Sequence, residues 1–187
     1  MTRILITVGA LALLAACHKP HPATARATPP GVAAPAAVTA TSLMAASDFV
    51  QQADFDDTFE TLAGRLALAQ SGAPAVRAFA QATIDDAARS AAALKAAIAR
   101  SNQALTLSSA FPSEMQITLA DLKEADRETF DRKFMNAQVD AHQKALTLMT
   151  GYASHGDMAV LKAFAAASEV VSRRHLERAR SIEGGLN

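Results

Sequence analysis

Three features of this chain predict an all-α domain: four long helices arranged as two hairpins, with a long crossover between the second and third. From residue 47 onward apolar residues recur at the three-and-four spacing of a helix, and no stretch alternates as a half-buried strand does. Half of the 187 residues are hydrophobic, yet only 5% are aromatic and tryptophan is absent, a composition suited to closely packed, alanine-rich helices. The breakers are unevenly placed. Gly72–Pro74 and Gly156–Asp157 are short interruptions, whereas Ser101 to Asp126 is too long for a simple turn.

The elements follow in chain order. Arg3 provides a cationic head, Ile4 to Leu14 an apolar run, and Leu14-Ala15-Ala16-Cys17 ends it with small residues before the only cysteine. A membrane span needs about 20 apolar residues, and this run gives way to His18, Lys19 and Pro20 well short of that. The segment resembles bacterial lipoprotein signal peptides. That resemblance implies cleavage of residues 1–16 and acylation of Cys17 on its sulfur and on the new amino terminus. Each buried acyl methylene is worth about 0.8 kcal/mol, so two or more chains hold a small domain on a bilayer unaided. His18 stands where an aspartate marks inner-membrane retention in such lipoproteins. The expected location is therefore the periplasmic side of the outer membrane, with the inner membrane as the alternative.

Residues 17–46 carry the lipid-attachment cysteine and five of the seven prolines, with few large apolar side chains. Proline blocks helix and sheet bonding, so this stretch reads as a disordered Pro/Ala/Thr-rich tether. His18 and His21 lie in it without further metal ligands. With its one cysteine lipidated, the domain has no intramolecular disulfide, and packing alone must hold its core. The formal net charge is zero and no Lys/Arg cluster occurs, which argues against a nucleic-acid partner and against electrostatic binding to an anionic membrane. Membrane association is expected through the lipid alone, and no particular protein partner is specified.

Residues 47–183 form the helical domain, with residues 184–187 as a tail. The first helix is expected from Asp48 to Gln70, capped by Ser47, with Phe55, Phe59, Leu62 and Leu66 facing inward. Gly72 ends it. Pro74 opens the second helix, which runs to Arg100 and buries Val76, Phe79, Ala80, Thr83, Ala87, Leu94 and Ile98. A third long helix is expected from Arg127 to Ala153 behind Asp126, with Phe130, Phe134, Ala141, Ala145, Leu148 and Tyr152 on its stripe. The fourth runs to Ile182 with Asp157 as its cap and turns Phe164, Val171 and Ile182 inward before Gly184 and Gly185. The crossover contains Pro112 and a short helix over Ser113 to Glu124. A connection of this length can traverse a whole bundle, which gives the ferritin-like arrangement. Its Leu105, Leu107, Phe111, Met115 and Ile117 are expected to cover one side of the bundle rather than to form a partner-binding patch.

The segments SDFV near Ser47, PAVRAFAQ at Pro74, FDRKFMNAQVDAHQKAL at Phe130 and RRHLERA at Arg173 resemble an exported bacterial family of unknown function placed among ferritin-like proteins. The resemblance spans Ser47 to Ile182 and implies a ferritin-like helical bundle. Family members commonly carry Asp-Asp-His on the second helix, where this chain has Asp85-Asp86-Ala87.

At about 100° per residue, His142 falls inside the apolar arc of its helix beside Met135, Leu146 and Met149, and His175 falls mid-arc among Phe164, Val171 and Ile182. Glu60 sits at the margin of the first helix. Gln138 and Ser168 are inward polar neighbours, and Asp140 points outward. A rise of about 1.5 Å per residue puts Glu60 about 15 Å and Ala87 about 20 Å from the first hairpin loop, with His142 and His175 about 16 and 27 Å from the opposite one. With a crossover, all four meet in a middle layer. Glu60, His142 and His175 are thus the candidate ligands of a weak iron, manganese or zinc site. A di-iron bundle needs a glutamate on two helices and Glu-x-x-His on two more, a supply this interior lacks. The preferred expectation is therefore a hydrogen-bonded structural histidine pair with no cofactor. Asp54, Asp56 and Asp57 form a small acidic cluster in the first turns of the helix, read as favoured by its dipole rather than as a cation site. No glycine-rich phosphate loop or nucleophile elbow is present, which points away from an enzyme. The methionines at 44, 115, 135, 149 and 158 are too scattered for a sulfur-ligand cluster.

Overall fold

The hairpins form where the breakers fall. The computed structural model describes residues 44–186, so Cys17 and the signal segment lie outside them, as does the tether up to residue 43. The described chain is all-helical: α1 (Ala46–Gln70), α2 (Pro74–Arg100), α3 (Ser113–Lys123), α4 (Phe130–His155) and α5 (Ala159–Gly184). No strand occurs among the described residues, and no helix there is long and apolar enough to cross a membrane.

Arg77 of α2 donates to the carbonyls of Leu68 and Ser71, partnering backbone oxygens that the end of α1 leaves open. Gly64 brings the two helices close: a Cβ there would lie 2.7 Å from Ile84 Cγ1 and 3.1 Å from the Ala80 carbonyl oxygen. Asn102 takes a left-handed φ of 53° just past α2, a conformation Asn tolerates better than most residues. In the second hairpin, a Cβ at Gly156 would lie 2.5 Å from the Tyr152 ring.

Two apolar clusters fix the helix directions. One joins Phe59, Ala63 and Ala67 of α1, Val76, Phe79 and Ala80 of α2, Phe130, Phe134 and Met135 of α4, and Ala179 of α5. The other joins Phe49, Val50 and Ala53 with Leu94 and Ala97, Met149 and Tyr152, and Leu161, Phe164 and Ala165. Each cluster takes one end of every long helix. Consequently α1 runs antiparallel to α2 and α4, and α5 runs antiparallel to α4 and α2. The crossover must travel the length of the bundle: Leu105 and Leu107 pack on the second cluster, while Phe111, Met115, Leu119 and Leu122 pack on the first. Of the five crossover residues singled out in the sequence, only Ile117 is strongly exposed, at 62%.

Several local expectations are overturned. Leu62 is exposed rather than inward, and Phe55 packs edge-on against Phe111 of the crossover. Phe59 is buried as expected, and the rest of the core face of α1 is Phe49, Val50, Ala53, Glu60, Ala63 and Ala67, a stripe whose alanines carry little hydrophobic signal. Ser47 does not cap α1, which begins one residue earlier. The Ala46 N–H donates to Asp157 Oδ2 at 3.3 Å from the far hairpin. Asp157 accordingly does not cap α5, because its other oxygen accepts the Tyr152 hydroxyl at 2.7 Å. Tyr152 in turn stacks on Phe49 with ring centroids 3.8 Å apart. Asp126 holds a turn by accepting from the Thr129 N–H at 2.8 Å, and α4 starts only at Phe130.

Candidate functional site: a polar layer at mid-bundle

Between the apolar clusters every long helix contributes polar side chains at one height. From α1 come Asp56, Asp57 and Glu60, from α2 Thr83 and Asp86, from α4 Gln138 and His142, and from α5 Ser168, Ser172 and His175. The His142 and His175 rings stack with centroids 5.1 Å apart and planes 22° from parallel. Phe79 meets both edge-on, at 5.9 and 5.8 Å. His142 Nε2 lies 3.9 Å from Glu60 Oε1, too far for a hydrogen bond. His175 Nε2 lies 2.7 Å from Asp86 Oδ2, and the same oxygen accepts from Arg174 at 3.0 Å.

Burial decides the charge states. Desolvation raises Glu60 from its ordinary 4.5 to about 8, with the Asp56 and Asp57 charges adding to it. Burial likewise lifts Asp57 to about 8 and Asp56 to about 7. Desolvation pushes His142 down to about 3, and the neighbouring His175 adds to the effect. The close approach of Glu60 and His142 is therefore a neutral acid beside a neutral base at pH 7, not an ion pair. Desolvation also lowers His175, against the pull of Asp86. Burial opposes ionisation of Asp86, but hydrogen bonds and charges from His175 and Arg89 outweigh it and hold its carboxyl below the usual range. His175 is thus a neutral imidazole whose partner assigns the tautomer: Nε2–H donates to the ionised Asp86, leaving Nδ1 as an acceptor.

Much of this layer has no partner. Asp57 Oδ2, Glu60 Oε2, His142 Nε2, His175 Nδ1 and both amide atoms of Gln138 are buried without a hydrogen bond. Each such group costs about 1–3 kcal/mol, a heavy load for a domain whose whole stability is about 5–15 kcal/mol. Beside them lies a cavity of about 330 Å³. Glu60, His142, His175, Asp57 and Thr83 line one part of it, and Phe59, Ala87, Ala145, Met149, Phe164 and Val171 supply apolar walls. It reaches the surface between α2 and α5, where lining residues Arg89, Ala93 and Ala167 are exposed. Ala87 is buried against it, so the residue standing for an imidazole in the resembling family leaves a methyl facing open space.

Of the residues singled out in the sequence, Glu60, His142 and His175 are brought together, and Ser168 lines the same cavity half-buried. Gln138 is fully buried one turn from His142 but does not line the cavity. Cys17 lies outside the described residues. Of the buried histidine pair expected to be hydrogen-bonded, His175 bonds Asp86, whereas His142 Nε2 has no partner, and the two rings stack on each other. Among the described residues no three His, Cys, Asp or Glu side chains converge as a metal site would require. The dipole reading of Asp56 and Asp57 is also corrected. With α1 starting at Ala46 they lie about three turns into it, beyond the reach of the helix end, and they line the cavity. Asp86 was missed, although the Asp85-Asp86 pair next to inward Ala87 was the signal that could have found it.

The chain matches the family described as Domain of unknown function (DUF4142) over residues 27–182. No curated protein and no solved structure matches it. The matched stretch takes in all four helices that build the polar layer, and on that match the chain belongs to this family of domains of unknown function.

Proposed function

We propose that this chain is a lipid-anchored domain of the bacterial envelope, held on the periplasmic side of the outer membrane through acyl chains on Cys17. Its ferritin-like bundle binds a small ligand at mid-height and catalyses no reaction. The Leu14-Ala15-Ala16-Cys17 run and the proline-rich stretch behind it support the anchor. Two antiparallel hairpins joined by a full-length crossover support the ferritin-like reading. The observation that carries the function is the mid-bundle cavity, where buried, unpartnered groups from three helices face apolar walls. Native mass spectrometry of the full-length chain purified from its envelope tests it. A small-molecule mass released on denaturation is expected, and Ala87→Leu, which narrows the cavity, should reduce the amount retained; no retained mass, or the same amount in the variant, contradicts the reading. Fatty-acid labelling that survives Cys17→Ser contradicts the anchor.

A second reading, a depleted metal or redox site, is favoured by one contact. Asp86 holds the His175 ring so that Nδ1 faces inward, as carboxylates orient metal-bound histidines. It predicts near-stoichiometric iron, manganese or zinc after reconstitution, and a gain of affinity in Ala87→His. Metal analysis finding none removes it.

A further inference from the structure

Resting on the ligand-chamber reading, we propose that the mid-bundle cavity takes a small organic monoamine, its ammonium group against Glu60 and Asp57 and its compact apolar body against Met149, Phe164 and Val171. Three basic side chains near the layer are engaged elsewhere. Lys144 bonds Glu114 and Asp140 at 2.6 and 2.8 Å on the outside of the bundle. Arg89 and Arg174 both turn to Asp86. Glu60 and Asp57 are left without a cationic partner, each with one buried oxygen that bonds nothing.

Glu60, His142 and His175 are 9%, 6% and 4% exposed, so their unpartnered atoms point to something bound rather than to bulk water. A lone metal ion fits poorly, because a cavity of about 330 Å³ lined largely by apolar atoms far exceeds its needs and, among the described residues, no three ligands converge. An anion fits no better, because Arg89 and Arg174 turn to Asp86 and the two imidazoles are neutral, which leaves it without a cation to meet. An ammonium group against Glu60 and Asp57 supplies donors that their buried oxygens lack and offsets the desolvation that opposes ionisation of both carboxyls.

The test is calorimetric titration of the full-length chain at pH 7 with benzylamine and with benzyl alcohol, which share a ring and differ in the charged group. Benzylamine should bind at least tenfold more tightly. Glu60→Gln should remove that preference while still binding benzyl alcohol, which shows the cavity intact, and Ala87→Leu should weaken both probes at least tenfold. Equal affinity of the two probes for the unmodified chain overturns the amine inference and leaves a ligand chamber standing. Failure of both to bind at millimolar concentration overturns the amine and the chamber together.

Discussion

Replacing Glu60 by Gln should leave the protein about as stable as before at pH 5 and clearly more stable at pH 9. The carboxyl is buried, and desolvation raises it from 4.5 to about 8. Between those values the folded protein holds a proton the unfolded chain releases, so stability falls as pH rises through that window and levels off above it. At about 1.4 kcal/mol per pKa unit, the rise to about 8 corresponds to about 5 kcal/mol at most. Water entering the cavity raises the local dielectric, so the expected gain is about 2–5 kcal/mol. Gln keeps the size and hydrogen-bonding character of the neutral acid and cannot ionise. Urea denaturation of the full-length protein and the variant at pH 5 and pH 9 measures the difference. Parallel stability profiles for the two proteins would refute a Glu60 that is buried and protonated at neutral pH.

Ala87→Leu adds three carbon groups to a wall of the cavity at about 0.8 kcal/mol each, and should raise unfolding free energy by about 1–2 kcal/mol in the same assay. Gly64→Val places its Cβ where Ile84 and the Ala80 carbonyl already lie, and should cost about 2–3 kcal/mol, with the α1–α2 contact disturbed first in hydrogen exchange. Tyr152→Phe removes the hydroxyl bonded to Asp157 while keeping the stack on Phe49. It should cost about 1 kcal/mol and speed exchange of the Ala46 amide, which the same carboxylate holds.

What could be read in the sequence was what depends on period and length. Helix spacing and two short breakers locate the four long helices, and a rise per residue is enough to put Glu60, Ala87, His142 and His175 at one height. What escaped it depends on competition between distant partners. Asp157 carries a local capping signal, but the Tyr152 hydroxyl and the Ala46 amide, 111 residues away in sequence, take its oxygens. Much of the core face of α1 beyond Phe49, Val50 and Phe59 is alanine and glycine, while the larger Leu62 and Leu66 lie toward the crossover, so a hydrophobicity wheel is drawn partly to the wrong stripe. Asp86 pairs with a histidine 89 positions away, and only folding reveals that this fixes the His175 tautomer.

Ring resonances of His142 and His175, followed in the full-length protein from pH 8 to pH 4, probe the buried layer directly. His142 should stay neutral throughout, since burial holds it at about 3, and His175 should titrate below its ordinary 6.5. Cross-relaxation should link the two rings, whose centroids are 5.1 Å apart. Two independent titrations near 6.5 with no ring-to-ring signal would contradict a closed mid-bundle chamber built on these imidazoles.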